Sequence, residues 1–287
     1  MEYLLLALIP VGCCIQEVSK KNYNQKKGGA FSFSAASSFM AILVYILASG
    51  GELNFTAEIL PYSIAFAVSY SLAMIGSFLA IKYGPLSISS LILQYSLLIP
   101  TVFGILVPDD PPKETNSWAI GIGIFLLIIS LLLVNKKEKS VNKKISAKWV
   151  IFVLLAFFCN GCCSPIQRVQ QQNFDGQYKN EFMIIAMLLS TASLAIMAIL
   201  FERKTLAESV KKGFGWFTVC GLCNGGVNYS VIVLVNLLPS QIMFPIISAG
   251  STILISIASV LFYKEKLTKI QYIGLTLGIF AIIALNL

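Results

Sequence analysis

The sequence has no histidine and little charge: Asp, Glu, Lys and Arg make up 12% of its 287 residues, where a soluble domain carries roughly 25%. Without histidine, the commonest general base and a principal zinc or copper ligand are missing. The acidic residues are scattered, with Glu52, Glu58, Asp109, Asp110, Asp175 and Glu181 spread over several connections. A lipid-modifying membrane enzyme would need such groups gathered at one surface. Arginine occurs twice against 19 lysines, a bias typical of AT-rich bacterial genomes. These shortages exclude a soluble enzyme, and they give no support to a catalytic site, a metal site or a cofactor.

What is present is apolar. Hydrophobic residues make up 57% of the chain, and the mean hydropathy is +0.81. A helix rising about 1.5 Å per residue needs about 20 residues to cross a bilayer core. Ten runs of that kind lie near 3–19, 30–48, 61–81, 86–107, 117–134, 149–170, 181–201, 213–236, 239–262 and 268–286. They are apolar at nearly every position, whereas membrane strands alternate. Pro85 and Pro239 each open a run after a tight connection, which predicts helical hairpins. Only Met1, Glu2 and Tyr3 precede the first run, so it reads as a span and not as a secretory signal with a basic leader.

The two halves repeat. Gly12-Cys13-Cys14 and Ile15 through Tyr23 align with Gly161-Cys162-Cys163 and Ile166 through Phe174, across a two-residue insertion at Ser164-Pro165. Seven of the twelve positions are identical. Pro85 then falls over Pro239, and Gly123-Ile124-Phe125 over Gly278-Ile279-Phe280. Five helices per copy is an odd number, so the second copy must enter the membrane inverted, as in many secondary transporters. The expected fold is therefore an all-α membrane protein of ten transmembrane helices in two inverted five-helix repeats. They are residues 1–134 and 149–287, joined by a hydrophilic loop at 135–148.

Charge supports the inversion. Eighteen of the 21 Lys and Arg residues fall in alternate loops or at their edges, beginning with the loop after the first run. The positive-inside rule places those loops in the cytoplasm and both termini outside it. The aligned Lys20-Lys21 becomes Gln171-Gln172 in the second copy, as expected for a loop that has changed sides. The net charge of +8 is thus an orientation signal, and nucleic acid is not an expected partner. The expected location is the bacterial cytoplasmic membrane.

Glu265-Lys266-Leu267-Thr268 with Gln271, Gly274 and Gly278 resembles the E-x-L-[ST]-x-x-Q-x-x-G ending of EamA-type domains in the drug/metabolite transporter superfamily. The duplication and the Pro85 and Pro239 hairpins extend the resemblance over the whole chain. The first half departs from the motif at Asp110, Asn116 and Ala119. The resemblance implies a transporter, in a superfamily whose solutes range from amino acids and sugars to drugs, with helices 5 and 10 lying away from the central cavity.

Polar groups inside the hydrocarbon are costly and face a cavity or another helix. Runs 1, 3, 4, 6, 8 and 9 are expected to line a central cavity. Tyr70, Gln94, Tyr95, Asn160, Gln167, Asn224, Asn228, Ser248 and Thr252 are the expected substrate-binding residues. Serine and threonine in such helices commonly return a hydrogen bond to the backbone one turn earlier. Runs 5 and 10 are nearly all aliphatic, and Gly274-x-x-x-Gly278 fits close helix packing, so a homodimer through helices 5 and 10 is expected to use them. The seven cysteines lie in apolar runs and are expected to act as small hydrophobes, despite C-x-x-C spacing at Cys159/Cys162 and Cys220/Cys223. Glu17 and Arg168 fall at run ends and are expected to snorkel to the interface, which leaves an uncharged lining suited to a neutral or zwitterionic solute. With no buried titrating group, a facilitator or exchanger is expected. The expected function is a secondary transporter of a small polar metabolite or amphiphile working by alternating access; a non-transporting assembly subunit is the alternative.

Overall fold

A computed structural model of the chain describes residues 2–25, 28–83, 89, 92–93, 95–107, 117–134, 146–263 and 269–285. The α-helices among them are α1 Glu2–Gln25, α2 Ala30–Ala48, α3 Leu60–Tyr83, α4 Leu98–Leu106, α5 Ser117–Val134, α6 Ala147–Asn173, α7 Lys179–Phe201, α8 Leu206–Leu234, α9 Ser240–Tyr263 and α10 Lys269–Leu285. A short 3₁₀ turn, Ala57–Ile59, leads into α3, and no strand occurs among the described residues. Among the described residues, seven helices, α1, α2, α3 and α6 to α9, are long and apolar enough to cross a membrane. Pro85, Gln94, Glu265 and residues 135–145 lie outside the described residues.

Polarity is arranged as lipid demands. Leu4, Leu47, Val68, Ile151, Leu200 and Phe262 face outward, while Gln167, Arg168, Gln170 and Gln171 are buried. Water would favour the reverse. In hydrocarbon the apolar side chains meet lipid tails and the polar ones find partners inside.

The halves interleave. α1 packs on α8 and α9, α3 on α6 and α7, α2 on α7 and α8, α4 on α6 and α9, and α5 on α10. Two of these packed pairs, α2 with α7 and α5 with α10, run antiparallel. Glu202, at the end of α7, accepts hydrogen bonds from the backbone N–H of Phe31 and Ser32 at the start of α2, each at 2.9 Å. At the other end of that seam, Glu181 near the start of α7 accepts from the Asn54 N–H beyond α2, at 2.8 Å. Likewise Ser130, late in α5, donates to the carbonyl of Gly274, early in α10, at 2.6 Å.

These bonds answer a local need. α2 begins at Gly29, which has no side chain to cap the first turn, and a helix start leaves four N–H groups unpaired. Glu202 satisfies two of them, and the Ser209 hydroxyl accepts from the Gly29 N–H at 3.0 Å. Two glycines set other seams. A Cβ on Gly221 would lie 2.3 Å from the Ser37 carbonyl oxygen, and one on Gly76 would lie 3.0 Å from the Phe152 oxygen. Backbone can therefore approach backbone between α8 and α2 and between α3 and α6.

Two sequence expectations need correction. α1 continues six residues past the expected end at 19, so Lys20 is helical and buried instead of lying in a loop. Arg168 does not snorkel. It is 1% exposed, donates from Nη2 to the Val107 carbonyl at 2.7 Å, and lies over the Phe103 ring. The carbonyl end of α4 offers a cation both a hydrogen bond and the negative pole of the helix.

Candidate solute site

Between the α1–α8 pair and the α3–α6 pair lies a cavity of about 150 Å³. Five helices meet there, four of them with small or polar residues on the facing side and α9 with apolar ones. α1 contributes Ile9, Cys13, Gln16, Glu17 and Lys20, which recur at helical spacing. α3 contributes Tyr70, Ala73, Met74 and Ser77; α6 contributes Asn160, Cys163 and Ser164; α8 contributes Asn224, Val227, Asn228 and Val231; and α9 contributes Phe244 and Ile247. Leu93 and Leu97, from the segment leading into α4, complete the wall.

Hydrogen bonds order the polar wall. Asn224 is the centre: its Oδ1 accepts from the Tyr70 hydroxyl at 2.9 Å, and its Nδ2 donates to Gln16 Oε1 at 3.0 Å. Asn228 Nδ2 donates to the Asn224 carbonyl oxygen at 3.0 Å, and Gln167 Nε2 reaches Asn228 Oδ1 at 3.5 Å. Asn160 Nδ2 donates to Ser96 Oγ at 2.6 Å. Beside the amides, Lys20 Nζ donates to Glu17 Oε1 at 3.0 Å. These side chains are only 11% and 15% exposed.

The structure brings Tyr70, Asn160, Asn224 and Asn228 to the cavity wall, with Gln167 bonded behind Asn228. It does not bring Tyr95, Ser248 or Thr252 there. Tyr95 packs with Leu98, Leu126, Ala249 and Ala281, toward α5 and α10. Thr252 returns its hydroxyl to the Ser248 carbonyl at 2.8 Å, the local bond open to a threonine in a helix. Gln94 lies outside the described residues.

Gln16, Glu17 and Lys20 were missed by sequence reasoning, and the expected uncharged lining is thereby corrected. Their spacing carried a signal. Cys13, Gln16, Glu17 and Lys20 fall at i, i+3, i+4 and i+7, one face of a helix, and Gln16 aligns with Gln167. Ending the first run at 19 hid it. The seven cysteines are free thiols, two of them, Cys13 and Cys163, on this wall.

The family model of the EamA-like transporter family matches residues 147–287. Residues 147–287 therefore carry an EamA-like transporter domain, consistent with the drug/metabolite transporter superfamily, and the chain is an integral membrane protein. A solved structure described only as the crystal structure of a protein is similar to it, with a TM-score of 0.74 over 97% of this chain and 95% of that one, at 14% identity. That likeness concerns the fold. No curated protein matches the chain.

Proposed function

We propose that the chain is a secondary transporter that moves a small polar metabolite or amphiphile across the bacterial cytoplasmic membrane by alternating access. In this reading ten helices form two inverted repeats, 1–134 and 149–287. The loop 135–148 is cytoplasmic and both termini are outside. The single observation that carries the reading is the cavity's position between helices that exchange under the repeat. Exchanging the halves turns α1 on α8 into α6 on α3 and α1 on α9 into α6 on α4, and both partners of each exchange are packed pairs. The helices thus divide into α1, α2, α8, α9 and α3, α4, α6, α7, with the polar wall between them. Glycine approaches such as Gly221 on Ser37 and Gly76 on Phe152 lie within a group. Side-chain bonds such as Tyr70–Asn224, Gln167–Asn228 and Asn236–Gln171 run between groups. Seams within groups and breakable polar bonds between them suit two rocking bodies, with α2 on α7 and α4 on α9 as the packed seams that must slide.

The proposed partners are the solute, the bilayer and a second copy through α5 and α10. Trp118, Phe125, Tyr272 and Phe280 there face outward.

The test is exchange in liposomes. Reconstituted protein, loaded with a defined mixture of metabolites, is challenged with the same mixture isotopically labelled outside, and mass spectrometry reads the exchange. Exchange of at least one solute class is expected, reduced about 5- to 150-fold by Asn228→Ala, which strands a polar partner at a cost of about 1–3 kcal/mol. Exchange no faster than in empty liposomes for every class would contradict the reading.

A further inference from the structure

The cavity wall is divided end to end. Ile9 and Lys20 both line it from α1, and eleven residues of helix set them about 16 Å apart. Around Ile9 the neighbouring helices add Val231, Phe244 and Ile247, which pack together with it in one apolar cluster. At the other end stand the Glu17–Lys20 ion pair and the amides bonded to Gln16.

An ion pair three residues apart on a helix adds little stability when it is wet. Taken out of water it is costly, and apolar residues of similar size would often serve the fold as well. Glu17 and Lys20 stand at a cavity within the membrane-spanning part of α1, where charged groups mark solute and ion paths. The pair also constrains what can bind. A singly charged solute can satisfy one partner only by taking it from the other, which leaves a buried charge alone. A neutral solute leaves both charges unused. A solute carrying both charges can face the pair head to tail, with each ion gaining an opposite neighbour and the net charge unchanged.

We infer that the cavity takes a small zwitterion with an apolar body, its ammonium at the Glu17 carboxylate, its carboxylate at the Lys20 ammonium, and its body toward Ile9 and Phe244. The Asn228 and Asn160 amides lie along the same wall and can donate to or accept from the head group. At about 150 Å³ the cavity falls below the roughly 300–1,000 Å³ of sites for drug-sized ligands, which suits a solute the size of one amino acid. The assignment rests on the transporter reading of this cavity and adds the solute's charge pattern.

Thermal unfolding of the purified full chain in detergent, followed by tryptophan fluorescence, tests it with four probes. They are L-leucine, its singly charged relatives leucinamide and N-acetyl-leucine, and glucose as a neutral polar solute. A ligand that binds only the folded state raises the unfolding temperature. Leucine should raise it in a saturable manner, and the other three should not. Glu17→Gln and Lys20→Met should each raise the half-saturating leucine concentration at least tenfold. The double variant Glu17→Gln/Lys20→Met, which leaves no charge unpaired, should keep its basal stability and lose the response. A pair that serves only the fold would change basal stability and leave the leucine response of the folded variants intact, and that result would overturn the inference. Leucinamide or N-acetyl-leucine acting as well as leucine would overturn it too. So would a response to glucose alone, which leaves the transporter reading standing. No response to any probe would also overturn it, and liposome exchange would then judge the transporter reading separately.

Discussion

The Tyr70 hydroxyl donates to Asn224 Oδ1 at 2.9 Å between residues 154 positions apart, the same separation as Pro85 from Pro239. One residue from each half of the chain therefore meets the other at the polar wall. Asn224→Ala removes the acceptor for Tyr70 and the donor for Gln16 together, in a residue 8% exposed. We expect it to lower stability by about 1–3 kcal/mol, because two buried polar groups lose a partner. Tyr70→Phe removes one donor while Asn228 Nδ2 stays 3.3 Å from Asn224 Oδ1, so it should cost only about 0.6 kcal/mol, the average for interhelical bonds in membranes. Denaturant unfolding in mixed micelles would rank the two. Equal costs would mean that Asn224 is not the centre of the network.

Glu202 caps α2 from the end of α7, so its replacement should loosen the start of a helix some 170 residues away. Glu202→Ala strands two N–H groups and the Ser32 hydroxyl, which also bonds this carboxylate. A loss of about 1.5–3 kcal/mol is expected for bonds to a charged group. Glu202→Gln keeps one acceptor oxygen and should lose less. Hydrogen exchange at Phe31 and Ser32 would report the local effect, and unchanged protection in Glu202→Ala would contradict this account of the α2 start.

Two glycines on α8 should respond in opposite ways. Gly221→Ala drives a Cβ to 2.3 Å from the Ser37 carbonyl; α2 and α8 must then separate, and a well-folded yield should fall sharply. A Cβ on Gly226 meets nothing within 4 Å, so Gly226→Ala should stabilise the helix by roughly 0.5–1 kcal/mol. Size-exclusion profiles and thermal unfolding of both variants check the contrast.

The apolar spans and most of the cavity-lining helices were legible in the sequence, since both follow from where lipid permits polar groups. Tyr70, Asn160, Asn224 and Asn228 stood out because an amide or phenol in an apolar run has to point inward. Glu17 and Lys20 did not, because a charge near the end of an apolar run reads equally as snorkelling, and only packing against α8 shows that α1 continues to Gln25. Tyr95 failed in the opposite sense: its spacing fits a polar stripe, yet its ring is taken up between α9 and the α5–α10 pair. Arg168 was hidden because its partner is a carbonyl, Val107, and backbone acceptors leave no mark on residue patterns.

The charge distribution predicts that the central loop faces the cytoplasm. A single cysteine replacing Ser140 in a cysteine-free background should resist an impermeant thiol reagent applied to intact cells and react once the membrane is opened. Labelling in intact cells would reverse the orientation.

Alternating access is tested most directly by two distances measured in one reconstituted protein. Spin labels replace Leu106 on α4 and Leu237 beyond α8 near one end of the cavity. A second pair replaces Tyr83 on α3 and Phe214 on α8 near the other, all at exposed positions. In each pair one label rides on each proposed rigid group. Double electron–electron resonance should find two populations for each pair, and any solute or lipid condition that lengthens one distance should shorten the other. Single distances that no condition shifts, or two distances that lengthen together, would contradict the account.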